Sequence, residues 1–170
     1  MKLCTAAVWL LPVVALIPGC SKGPLDSPIS ARDYVNYSMW RSEVDPELTD
    51  AQRQEIAVAE SEIKLGIQID SGGGGSDTID AAYYETINGH TLREFLEQGL
   101  TSRIERLKLE SARLAKVLDL DAGIETREGD LPSADFLRND VENKREALQK
   151  DQDEIQSARA RLKELQNPSP

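Results

Sequence analysis

From residue 91 onward the apolar positions fall into a repeat of fours and threes. Leu100, Ile104, Leu107, Ser111, Leu114 and Leu118 trace one seam, and Leu137, Val141, Lys144, Leu148, Asp151, Ile155, Ala158, Leu162 and Leu165 trace a second. Such spacing keeps one stripe of a helix against a partner helix. Thr91 with Glu94 forms a capping box at the first start, and Ser133 can cap the second. Gly123, Gly129 and Pro132 interrupt the pattern between them, and Gly129, Asp130 and Pro132 within a few residues make one continuous helix costly. Residues 91–166 therefore read as a coiled-coil helical hairpin with its turn at 121–132. Each helix is about 40–50 Å long at 1.5 Å per residue. Folding back with Leu114 against Val141 puts Leu107 opposite Leu148, Leu100 opposite Ile155, Ser111 against Lys144 and Ile104 near Asp151. In that register Asp151 leans toward Arg103 or Arg106.

Residues 30–90 carry shorter helical patterns. A first helix starts at Ser30 with Asp33 in its opening turn, presents Tyr34, Val35, Met39 and Trp40, and breaks at Pro46. A second starts at a Thr49/Gln52 capping box and repeats Ile56, Ala59, Ile63 and Ile67. Its end is ambiguous: Ile63, Leu65, Ile67 and Ile69 also alternate as a strand would, and a helix fraying near Gly66 is the better fit because no other segment alternates as a pairing partner. The glycine-rich stretch 72–76 reads as a linker. A short helix from Asp77 to Ile87 follows, closed by Asn88-Gly89. Leu92, Phe95, Leu96, Leu109, Val117 and Leu120 lie off the seam and need a cover, which Tyr34, Trp40, Ile56, Ile63, Tyr83 and Tyr84 could supply. The expected fold is all-α: a long antiparallel coiled-coil hairpin with a smaller N-terminal bundle of short helices. Residues 167–170 read as a disordered tail.

The N-terminus has a different character. Lys2 is followed by a Leu-, Val- and Ala-rich run interrupted by Pro12, the form of an export leader and too short to span a bilayer. It ends in "LIPGC", residues 16–20. This resembles the lipobox of bacterial lipoproteins, with Ile17, Gly19 and Cys20 on the motif positions and Pro18 departing from it. The resemblance covers only the first twenty-odd residues. It implies a signal peptide over 1–19, removal of that peptide, and lipidation of Cys20 with palmitate-type acyl chains as the membrane anchor. Ser21 at the following position implies the periplasmic face of the outer membrane within a bacterial cell envelope. Residues 20–29, with two prolines and a glycine, then form a lipidated tether. Two acyl chains hold stably where one is marginal.

Composition narrows the remaining choices. Aromatics make up 5% of the 170 residues and the net charge is −10, which suits long helices and argues against a nucleic-acid partner needing a basic stripe. Of the two cysteines, Cys4 lies in the leader and Cys20 carries lipid, so no thiol remains for a disulfide, metal or nucleophile. No catalytic, cofactor-binding or metal residue is assigned. His90 is the only histidine and sits just before a helix start, a turn position. The glycine run lacks the lysine of a phosphate loop and is flanked by Asp70 and Asp80. Close acids such as Glu60 with Glu62, and Asp151 with Asp153 and Glu154, belong to charged helical faces. The loop holding Asp119, Asp121 and Asp130 is interrupted by Ala122, Ile124 and Arg127, unlike an EF-hand. Pump adaptors that combine a lipid anchor with an α-hairpin insert it into β-rich domains, which this chain lacks. The sequence therefore leads to the expectation of a non-enzymatic, lipid-anchored envelope scaffold or adaptor that holds a protein partner. A holdase-type chaperone and a cell-wall-active enzyme are the alternatives.

Overall fold

The computed structural model describes residues 23–125 and 133–167. The leader 1–19, Cys20, most of the expected turn and residues 168–170 lie outside them. The described chain is all-α, with helices α1 (Tyr34–Val44), α2 (Asp50–Asp70), α3 (Ser76–Ile87), α4 (Leu92–Glu125) and α5 (Ser133–Gln166). Local signals in the chain set most boundaries. Asp33 caps α1 by accepting from the Asn36 amide at 2.8 Å, and Pro46 ends it in a 3-10 turn over Asp45–Glu47. Thr49 and Gln52 form the expected box at the start of α2. At the start of α4 the Glu94 carboxylate accepts from the Thr91 amide at 2.7 Å, while the Thr91 hydroxyl accepts from the Glu94 amide at 3.2 Å.

Two expectations are corrected here, and the linker at 72–76 gains a defined geometry. α2 does not fray at Gly66 but continues as helix to Asp70, since a strand there would have no neighbour to pair with. The stretch 72–76 is a tight connection: Gly72 and Gly73 take φ of +67° and +92°, and the Gly73 amide donates back to the Gln68 carbonyl at 3.0 Å, closing α2. Asp121–Glu125, expected to begin the turn, is the last part of α4.

The expected tether is largely docked. Pro24–Asp26 form a 3-10 turn, and the following residues lie along the α3–α4 connection. The Ile29 amide donates to the His90 carbonyl at 2.7 Å, the Gly89 amide to the Ile29 carbonyl at 2.9 Å and the Leu92 amide to the Ser27 carbonyl at 3.1 Å. Ile29 and Ala31 are buried. Arg93 clasps this end of the molecule, donating to Asp26 at 3.1 Å and to the Leu165 carbonyl at 2.9 Å. The start of α4, the end of α5 and the N-terminal segment thus meet at one base. The main core lies beside that base and gathers Tyr37, Trp40, Val44, Ile56, Ala59, Ile63, Tyr83, Ile87, Leu92, Phe95, Leu96 and Leu165.

α4 and α5, each of 34 residues and so about 50 Å long, pack antiparallel. Their pairing differs from the expected register. Ile104 and Leu107 cluster with Ile155 and Ala158, one turn and more along α5 from the Asp151 expected beside Ile104. Lys144 reaches Asp121, near the far end of α4, at 2.7 Å instead of sitting against Ser111. Arg103 pairs with Glu154 at 2.7 Å, and Arg106 turns to α2, so Asp151 takes neither arginine. A lysine in the seam is accommodated because its stem lies along the partner helix while its ammonium reaches a carboxylate at the edge.

Candidate functional site

The hairpin divides into a covered base and a projecting arm, and the division is visible on one face of α4. Phe95, Gly99 and Arg106 recur at helical spacing and face α2. At Gly99 the two helices approach closely: a Cβ there would overlap the Ala59 Cβ and lie 2.5 Å from its Cα. Beyond this crossing, Arg106 grips Glu62 of α2 through two hydrogen bonds of 2.9 and 2.6 Å. Glu62 is the one buried charged side chain among the described residues, and its hydrogen bond holds the Arg106 guanidinium even more firmly charged than usual. The expectation that Glu62 belongs to a charged, solvated face is corrected here, because it is buried against Arg106. The available signal was its phase, three residues after Ala59 on the α4-facing side of α2.

The same face of α4 then continues without cover. Leu109 is 63% exposed, Leu120 is 64% exposed and Val117 is more than a third exposed. Of the off-seam residues expected beneath the N-terminal helices, Leu92, Phe95 and Leu96 are covered and Leu109, Val117 and Leu120 are not. Among the proposed covering residues, Tyr34 is itself exposed. Arg113 and Lys116 stand between the exposed apolar side chains, and neither makes an ion pair among the described residues.

Other polar groups are spoken for. The carboxyl of Glu154 is held below the ordinary glutamate range by its hydrogen bond from Arg103. The Lys144 ammonium is held above the ordinary lysine value by hydrogen bonds to Asp121 and Asp140. Glu60 binds Lys64 at 3.1 Å, and Asp153 accepts from Gln149 at 2.9 Å. His90 serves through its backbone carbonyl, and its ring is half exposed with Nδ1 3.9 Å from Glu94. Tyr37 and Tyr83 share a hydroxyl contact of 3.4 Å in the core, where burial pushes both phenols up. Among the described residues no three His, Cys, Asp or Glu side chains converge as metal ligands, and no helix is long and apolar enough to cross a membrane. A groove of about 380 Å³ separates α2 from α5 over α4, lined by Val58, Ala59, Leu96, Gly99, Leu100 and Ala158 and bridged at its rim by Arg161 and Glu55 at 2.7 Å.

Comparison with protein-family models, with curated proteins and with solved structures finds no match. Any functional reading therefore rests on the sequence and the geometry above.

Proposed function

We propose that the protein is a lipid-anchored scaffold of the bacterial cell envelope, held through acyl chains on Cys20, that presents its helical hairpin to a protein partner. The observation that carries this reading is the docked N-terminal segment. The chain that follows Cys20 enters the fold at Pro24–Asp26 and is bound at the base where α4 begins and α5 ends. Only Ser21, Lys22 and Gly23 separate the cysteine from that docked turn. Three extended residues reach about 10 Å. An anchor at Cys20 would hold the base close to the bilayer, and the arm would project from it by the length of two paired helices. Uncovered apolar and basic side chains occur on that arm, as a protein-binding surface requires, and the overall acidity disfavours nucleic acid. Ser21 supports placement at the periplasmic face of the outer membrane.

The test is the mature N-terminus. Envelope-extracted protein should begin at Cys20, carry the added mass of acyl chains and partition into detergent, while Cys20→Ala protein should appear in the soluble fraction. An unacylated mature protein, or a Cys20→Ala protein that stays membrane-bound, would refute the anchor.

A further inference from the structure

Gly99, Arg106, Arg113 and Leu120 follow one another at intervals of one heptad on α4, and Phe95, Ser102, Leu109 and Lys116 form the parallel row. The two rows make a single stripe. Its first half is an interface within the molecule: α2 crosses at Gly99, and Glu62 supplies a carboxylate to Arg106. In its second half α2 no longer covers α4, which leaves Leu109 and Leu120 about two-thirds exposed beside Arg113 and Lys116. The chemistry is the same in both halves, an apolar track with a guanidinium set into it, but only the first half has a partner.

We infer that residues 109–120 of α4 are the docking face for the partner, and that the partner presents an amphipathic helix whose apolar face carries a carboxylate against Arg113, as Glu62 of α2 meets Arg106. This rests on the scaffold reading and specifies the surface it uses. Two features identify the occupant. The stripe continues directly from the α2–α4 interface, so a helix laid on it extends an existing packing geometry. The two charges set in its rows, Arg113 and Lys116, are both positive and make no ion pair among the described residues, in a molecule of net charge −10, so the stripe selects an acidic segment and disfavours a second copy of this largely acidic surface. Helix-in-groove recognition commonly uses apolar anchors at three- and four-residue spacing with such flanking charges.

The experiment places a photoreactive phenylalanine analogue at Leu109, Val117 or Leu120 of the full chain in living cells, with Lys108 on another face of α4, and Gln156 near the base on α5, as comparison sites. Irradiation should give one discrete adduct from the three stripe positions, mapping to an acidic helical segment of a single protein, with little from the comparison sites. Arg113→Glu should lower the adduct yield about three- to fivefold, the range an exposed ion pair supports, and exchanging the partner's mapped acid for lysine should restore it. Adducts concentrated at Lys108 or Gln156 would overturn this surface and leave the scaffold reading standing. Adducts to a second copy of the chain or to lipid, or adducts insensitive to Arg113→Glu, would overturn the proposed occupant. No adduct to any protein from any position would overturn the scaffold reading with it.

Discussion

Gly99 and Gly66 are both helical glycines, and the structure gives them opposite meanings. Around Gly66 nothing lies within 4 Å of an added Cβ, so Gly66→Ala adds helix propensity without a clash and should stabilise the fold by about 0.5–1 kcal/mol. At Gly99 the same methyl meets Ala59, including its backbone, well inside contact distance. Overpacking of this kind costs about 1–3 kcal/mol, which exceeds the propensity gain, so Gly99→Ala should lower the urea midpoint while Gly66→Ala raises it. Equal effects at the two sites would show that α2 does not cross α4 at Ala59. Sequence periodicity alone does not separate these glycines, because the distinction comes from a contact between residues distant along the chain.

At the scale of helices, what was legible was what is local. Both capping boxes, the break at Pro46 and the starts of α4 and α5 follow from residues within one or two turns of each boundary, whereas the first helix starts at Tyr34 behind an Asp33 cap and not at Ser30 as expected. The hairpin register was not legible. A heptad seam fits several offsets about equally well, and here the base decides: Arg93 ties the start of α4 to the Leu165 carbonyl, which sets Arg103 beside Glu154 and Lys144 beside Asp121. The docked segment 24–31 was missed because prolines, glycine and serine describe a tether and a pinned extended strand equally well. The candidate arm surface was partly legible, in that Leu109, Val117 and Leu120 stood out as off-seam apolar residues, but α2's departure from α4 was not. Charge exchange tests the register. Arg103→Glu and Glu154→Arg should each lower stability and together restore it, with a coupling of up to about 1 kcal/mol because both side chains are partly exposed. A restoring partner at Asp151 instead would return the register first expected. The coupling should also depend on pH. Glu154 is held below its ordinary value of 4.5, so its contribution is present above that pH and is lost as the pH falls through the lower folded-state value. The cycle should therefore show coupling at neutral pH and none in strong acid.

At the scale of the whole molecule, an arm projects from a base, and the anchor proposed at Cys20 lies next to that base in sequence. The segment after Cys20 is bound at the base, the core with Tyr83 and Phe95 fixes α2 and α3 against that end, and α4 and α5 run out from it as a pair. With the anchor proposed at Cys20, the protein would stand away from the bilayer with its base inward. Neutron reflectometry on the protein held in a supported bilayer through the acyl anchor proposed at Cys20 tests this without labels. The account predicts a protein layer extending about 50 Å or more from the lipid surface, the length of the paired helices, densest near the membrane. A thin layer close to two helix diameters, about 20–25 Å, would mean that the hairpin lies flat, and would contradict the account.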